Sequence, residues 1–390
     1  MGILLLQTVR NKVAVMKKIK VVEAISDSNL GGAGILLHRR LTHSDQNRFR
    51  TIVLCPEKSV LQQKIRSSKI KTVGIKFGAD RSFHLLSVIE YICWLRKIRP
   101  DLVNCHGSLS CRIAAKLCGV PVKVCTKHCV FPLTSWQKTA FSRIMTKNIQ
   151  YFLSNQIIAV AYAAKRDLIQ RGTNKDQIQV IINGAEGLKR DSLQKKRELK
   201  QSLHFPEDSV VVGICARLEP YKGHRDFLLA AKHLLSKSSK YRFLIVGEGS
   251  ARQSIYDFCA HLGLLPYTCF TGFVNDVTPY YNIMDINVNC SCGTETSSLA
   301  LSEGMSLGIP SVVSNYGGNP YMIQHGRNGF IYPSGDYRML ADYIHRLIQD
   351  EVLYRKASLA SYERFERELN IVRMTRETEA LYIKLIKQRL

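Results

Sequence analysis

Short apolar runs alternate with longer amphipathic stretches along almost the whole chain. Ile19–Ala24, Phe49–Cys55, Lys71–Ile75, Asp101–Cys105, Val122–Thr126, Ile157–Ala161 and Val180–Ile182 read as strands. Runs this short and this apolar suit strands covered on both faces, as in a parallel sheet. Between them, residues 84–99, 110–118 and a stretch ending near Arg171 repeat apolar positions at helical spacing. A second series follows: Val210–Cys215, Arg242–Val246, Cys269–Gly272, Ile286–Val288 and Ile309–Val313. Strands alternating with helices predict parallel α/β sheets with right-handed crossovers. Two series in 390 residues predict two domains. We place the first at 16–184 and the second at 208–371. Residues 185–207 are charged and lack a clear core face, as expected of a connection. From about Ala360 the chain is helical and charged.

The stretch 131–153, FPLTSWQKTAFSRIMTKNIQYFL, interleaves apolar and basic residues. Trp136, Phe141, Ile144, Met145, Ile149 and Phe152 recur at near-helical spacing, with Lys138, Arg143 and Lys147 between them. A core helix and a helix lying on a membrane share this pattern.

In parallel α/β sheets ligands bind beyond the carboxyl ends of the strands, which directs attention to the loops there. The first strand runs into Ser26–Gly34, SDSNLGGAG, with a helix predicted from near Gly34. Glycines between a strand and a helix serve a tight turn or cradle a phosphate. The spacing is not G-x-G-x-x-G, which disfavours dinucleotide binding. His106-Gly107 and His128 fall at the ends of two further strands. Arg217 and Lys222 follow the first strand of the second series, in RLEPYKG. Arginine can bind two phosphate oxygens at once and lysine adds a mobile point charge.

The richest stretch is 285–335. Glu295 and Glu303 stand with seven residues between them, the first in a loop and the second about two turns into a helix. Thr296, Ser297 and Ser298 are small polar residues where an N-cap belongs. Unpaired amides at such a helix start attract an anion. Two acids that bond hydroxyls beside a phosphate cradle suit a nucleotide sugar; a solvated surface helix would carry the same pair. Then come Gly308-Ile309-Pro310, the Gly317-Gly318 turn and Gly326–Gly329.

Together, E295-TSSLALS-E303-GMSLGIP followed by SNYGG resembles the retaining glycosyltransferases of family 4, whose architecture is called GT-B. The resemblance spans essentially residues 16–385 and is strongest from 210 to 335. It implies two Rossmann-like domains facing a cleft, with a C-terminal helix, about 372–390, packing back on the first. It implies that Arg217 and Lys222 bind the donor diphosphate, Glu303 the ribose and Glu295 the sugar hydroxyls. Ser297, Ser298 and Leu299 would offer helix-start amides. Gly247, Glu248, Phe273 and Val274 would line the nucleotide side, and His128 would touch the sugar. Gly31, Gly32 and His106 would face the acceptor, with Gly32 also near the donor. Two positions depart from the family pattern. Thr296-Ser297-Ser298 replaces a frequent Gly-Phe-Gly, and Tyr321 stands where a Glu often follows the Gly-Gly turn. Both fall where the sugar would lie, so they bear on donor identity.

Composition refines the picture. Twelve cysteines lack a repeating spacing and read as reduced thiols in a cytoplasmic protein. Cys125-Thr126-Lys127-His128-Cys129 lacks a second ligand pair, and no D-x-D occurs in the donor region, so no metal and no cofactor are expected. Met1–Val15 has an apolar run too short to span a bilayer, and reads as an extension preceding a folded unit that begins at Met16. The net charge of +25 is uneven: residues 1–183 hold 30 Lys and Arg against 9 Asp and Glu, whereas residues 184–390 hold 26 against 22. Such a field suits an anionic glycan or lipid-linked sugar acceptor, or peripheral attachment to the inner face of the cytoplasmic membrane. Two rivals fit parts of the pattern: a sugar-nucleotide epimerase or phosphorylase of the same architecture, and a basic nucleic-acid-binding protein. The second would need aromatic platforms along a groove, and no nucleic-acid motif is present.

Overall fold

The computed structural model describes residues 18–29 and 31–389. The expectations for Met1–Val15 and for a start at Met16 lie outside the described residues. The first sheet has seven parallel strands in the order β3-β2-β1-β4-β5-β6-β7. They are β1 Ile19–Ile25, β2 Phe49–Pro56, β3 Lys71–Ile75, β4 Leu102–His106, β5 Val122–Lys127, β6 Gln156–Ala159 and β7 Ile178–Val180. Six helices connect them in turn: α1 Gly32–Thr42, α2 Val60–Ser67, α3 Leu85–Ile98, α4 Leu109–Leu117, α5 Ala140–Leu153 and α6 Tyr162–Gln170.

The second sheet has six parallel strands in the order β10-β9-β8-β11-β12-β13. They are β8 Val210–Cys215, β9 Tyr241–Val246, β10 Thr268–Gly272, β11 Ile286–Asn289, β12 Ser311–Ser314 and β13 Gly329–Tyr332. Its helices are α7 Leu193–Ser202, α8 His224–Lys237, α9 Arg252–His261, α10 Thr278–Ile283, α11 Leu299–Ser306, α12 Asn319–Met322, α13 Tyr337–Gln349 and α14 Glu351–Arg364. The strands are Val-, Ile- and Leu-rich because helices cover both faces; β8 and β9 are almost wholly buried.

Helix α1 begins at Gly32, two residues before the expected Gly34, because Gly34 is buried against Leu61 and belongs to the first turn. Part of the stretch 185–207 is ordered. Within it α7 forms, and Leu188, Leu199 and Leu203 pack against the core of the second domain. The connection itself narrows to two adjacent passages of chain. Ala185 N–H donates to Leu369 O at 2.8 Å, and Ile371 N–H donates to Ala185 O at 2.9 Å. The second passage leads into α15, Ile371–Lys387, which returns to the first domain and packs Ile371, Met374, Leu381, Tyr382 and Leu385 into its core.

Helix α5 contradicts the core reading of 131–153. Residues 131–135 are loop, and the helix buries Ser142 and Leu153 while Thr146 and Gln150 are half-buried. Phe141, Ile144, Met145, Ile149 and Phe152 all point outward. Among the described residues no helix is long and apolar enough to cross a membrane.

Candidate functional site

Each sheet has one point where neighbouring strands lead to opposite sides: β1/β4 in the first and β8/β11 in the second. A crevice opens beyond the strand ends at such a point. The predicted residues gather at these two places.

In the second domain β8 leads into Arg217–Gly223, and β11 into Cys290–Ser298. The two loops are bolted together. Cys292 N–H donates to Tyr221 O at 2.9 Å. Gly223 has φ +71°, and a Cβ there would lie 2.1 Å from Cys290 O, so only glycine permits the approach. Lys222 Nζ donates to Glu295 Oε2 at 2.8 Å. The Ser291 hydroxyl and the Asn289 amide donate to the same oxygen at 3.0 and 3.3 Å. The Gly-Gly turn clamps this loop from behind. Gly318 N–H donates to Glu295 O at 3.2 Å, and a Cβ on Gly317 would come within 1.9 Å of that oxygen. Arg217 is exposed, steadied by a 2.7 Å bond to the Tyr221 hydroxyl. Ser298 caps α11 by accepting from Leu301 N–H, as its sequence position implies. Ser297 is half-buried beside it, and Leu299 packs in the seam between the domains.

Glu303 lies two turns into α11 and is almost fully buried, which raises its carboxyl above the ordinary range. Arg39 of α1 opposes that shift by donating to Oε1 at 2.9 Å. Gly247 and Glu248 follow β9, and Glu248 pairs with Arg252 at 2.9 Å. Phe273 is largely exposed beyond β10, whereas Val274 packs on the second domain's core.

In the first domain His106 and His128 come together, as their strand-end positions predict. His106 Nδ1 and His128 Nε2 are 2.7 Å apart. Behind them lies a residue that the motif search missed, Glu23 in the middle of β1. It is fully buried, and His106 Nε2 lies 2.8 Å from its Oε2. Arg40 pairs with it. Tyr382 of α15 donates to its Oε1 at 2.9 Å and Asn104 to its Oε2 at 2.9 Å. Burial alone would raise this carboxyl, but Arg40 and the bonds from His106 and Tyr382 outweigh it and hold the group at about 2. Burial, reinforced by His106, pushes His128 down to about 3. His128 is therefore neutral at ordinary pH. With His106 donating a hydrogen bond from Nε2–H to the Glu23 carboxylate, its Nδ1 accepts from His128 Nε2–H. That leaves His128 Nδ1 as an acceptor for a hydroxyl.

Beside His128 a pocket of about 430 Å³ runs beneath α5, with Asp27, Arg112, Thr146 and Gln150 on its walls. Ala33 also lines it; Gly31 and Gly32, just before Ala33 in the chain, are exposed, with open space where side chains would be. Asp27 is a second missed residue. Burial, then Asp80, raises its carboxyl. An acid two residues beyond the end of β1 was the signal available in the sequence.

The two halves meet. Val130 N–H, just after His128, donates to Thr296 Oγ1 at 3.2 Å. The Cys129 thiol, raised by burial and by Asp27, is drawn down by Lys127, Arg217 and Lys222 from across the cleft.

Two parallel sheets whose carboxyl edges face one another, one bearing a cation–carboxylate pair and the other a buried histidine pair, define the GT-B class of glycosyl-transferring enzymes. The family profile for Glycosyltransferase Family 4 matches residues 30–186, and that for Glycosyl transferases group 1 matches residues 195–364. The chain belongs to this family of glycosyltransferases. It is 24% identical over 315 residues to the capsular polysaccharide biosynthesis glycosyltransferase CapM of Staphylococcus aureus, covering 78% of this chain and 82% of that protein. It is 27% identical over 311 residues to the UDP-Gal:alpha-D-GlcNAc-diphosphoundecaprenol alpha-1,3-galactosyltransferase of Escherichia coli, covering 77% and 79%. Its fold matches that of Anabaena Alr3699/HepE in complex with UDP at a TM-score of 0.80 and 19% identity, covering 94% of this chain and 100% of that one. The family model and the names of these relatives favour glycosyl transfer over the epimerase, phosphorylase and nucleic-acid-binding rivals.

Proposed function

We propose that this enzyme transfers a sugar, with retention of anomeric configuration, from a UDP-sugar to a cell-envelope glycan or lipid-linked acceptor. The observation that carries the reading is the Lys222–Glu295 pair at 2.8 Å, set at the β8/β11 switch point beside Arg217 and opposite His128. Arg217 and Lys222 neutralise the diphosphate, whose charge grows as it departs. The amides of Ser297, Ser298 and Leu299 add the α11 dipole. Gly247, Glu248, Phe273 and Val274 flank the nucleotide, and Glu303 holds the ribose. Glu295 Oε2 is engaged by Lys222, Asn289 and Ser291, which leaves Oε1 for sugar hydroxyls. His128 accepts from another hydroxyl through Nδ1, and His106 fixes its tautomer.

In the step itself the acceptor oxygen forms a bond to the anomeric carbon while the bond from that carbon to the phosphate oxygen breaks. The acceptor proton passes to the departing phosphate, on the same face. The basic pair takes the place of a metal. The donor assignment draws on the Anabaena complex with UDP and on the UDP-Gal named for the Escherichia coli relative. The acceptor assignment draws on that relative's diphosphoundecaprenol and on the capsular role named for CapM. Titrating UDP-, GDP- and ADP-sugars, with product anomers read by NMR and EDTA present, tests it. We expect a UDP-sugar to bind best and an axial product linkage to survive EDTA. Inversion, or a strict need for added magnesium or manganese, overturns it.

A further inference from the structure

Helix α5 is inside out. Its polar face, Ser142, Thr146 and Gln150, turns toward the protein, and polar bonds rather than apolar packing hold it. Arg112 donates to Gln150 Oε1 at 2.6 Å, and the Gln177 amide donates to Gln150 O at 3.0 Å. Its apolar face looks outward, with Phe141 69% exposed, Ile144 61% and Phe152 59%. A helix in water normally does the opposite, and an outward apolar face of this size marks a contact surface. The face is continued on the same side of the sheet by α3, whose first turns expose Leu85, Leu86 and Ile89 next to Phe83. Both helices start at the carboxyl edge of the sheet. There the 430 Å³ pocket has Ser82 on one wall and Phe131 and Thr146 on the other.

The charge around this face is mostly positive; the acids near it are Glu90, which follows Ile89 in α3, and Asp176, which shares a pocket with Phe152. From Leu102 to Arg166 the chain contains nine Lys and Arg and no Asp or Glu. Arg143 and Lys147 are exposed along α5 itself, and Lys138 in the turn just before it. Apolar side chains set mainly among cations match a surface that is anionic outside and apolar beneath. Protein–protein interfaces are instead depleted in lysine, which this face carries at Lys138 and Lys147.

We infer that the outward faces of α5 and of the start of α3 form a docking surface for an anionic lipid bilayer. The pocket beneath α5 opens at this surface. Its use as the entry for a lipid-linked acceptor rests on the acceptor proposed above; the docking rests only on the geometry and charge of this face. A diphosphate-linked lipid thereby reaches His128 without leaving the membrane.

The test uses the full chain and vesicles that hold no sugar, so its outcome is independent of the glycosyl-transfer reading. Wild-type protein should co-sediment with vesicles of mixed phosphatidylcholine and phosphatidylglycerol at low salt, and be released at high salt. The outward double variant F141D/I144D and the triple variant K138E/R143E/K147E should each weaken binding by at least about tenfold. Their affinity for UDP should be unchanged, which also reports an intact fold. A second reading needs no surface substitution. Trp136 is exposed, and Trp94 is the only other tryptophan. In a W94F background the emission of Trp136 should shift to the blue when acidic vesicles are added. Equal binding to pure phosphatidylcholine, or equal binding by both surface variants, overturns the proposal. So does a dimer that these variants abolish in a protein that ignores vesicles, which would make the face a contact between copies.

Discussion

Arg39, on the first domain's opening helix, donates to Glu303 on the second at 2.9 Å, joining residues 264 positions apart in the chain. Glu303 is the carboxylate assigned to the donor ribose. The arginine engages one carboxylate oxygen, Oε1, so a ribose that bonds both oxygens competes with it. A partly exposed ion pair contributes about 1 kcal/mol or less. Arg39→Met should accordingly tighten UDP binding up to about fivefold. Unchanged affinity in calorimetry would show that the pair does not compete with the nucleotide.

Removing the carboxylate should do the opposite. Charge-assisted bonds to two hydroxyls contribute about 1.5–3 kcal/mol each. Glu303→Ala should weaken UDP binding by an order of magnitude or more, while leaving its affinity for inorganic diphosphate nearly unchanged. Equal loss for both ligands would move Glu303 from the ribose to the phosphates.

Arg217→Ala and Lys222→Ala should each abolish most turnover, but their effects on stability should differ. Arg217 is exposed and bonded to Tyr221, so its loss should leave the melting temperature near wild type. Lys222 neutralises the buried Glu295, and its loss strands that charge. A penalty of about 1–3 kcal/mol is expected. Near-wild-type rates in either variant would make the pair ordinary surface charge.

Acidification should destabilise the first domain through two groups acting in the same direction. Glu23 is held at about 2, so its stabilisation is complete above the ordinary carboxylate range and is lost as pH falls toward that value. His128 is held at about 3, so the unfolded chain takes up a proton first and stability falls as pH drops from the usual imidazole range. Melting temperature should decline steadily below about pH 6. Glu23→Gln leaves Arg40 buried without its partner, which costs about 3–5 kcal/mol. It should also flatten the acid limb. An unchanged pH profile in that variant would detach Glu23 from the histidines.

Much of this was legible in the sequence because the responsible signals are local. Val210–Cys215 matches β8, since a strand covered on both faces is apolar throughout. His106 and His128 were placed correctly because both stand at strand ends. Glu23 was not found, since its meaning comes from Arg40, Asn104, His106 and Tyr382, which arrive from three other elements. A lone acid in the apolar run IKVVEAI was the only local sign. The orientation of α5 was hidden for a different reason. Periodicity shows that a helix has two faces, but small polar residues such as Ser142 and Thr146 can fill an inner face as readily as an outer one.

Tyr382, brought by α15 from 359 positions along the chain, closes the charged cluster at the centre of the first sheet. A ribosome delivers the chain from its amino terminus, and domains usually fold as they emerge. Here the first domain is left waiting. Glu23 and Arg40 leave the exit tunnel early, yet the phenol that completes their shell arrives with α15, after the whole second domain. The half of the enzyme made first is thus finished only after the other half has been made.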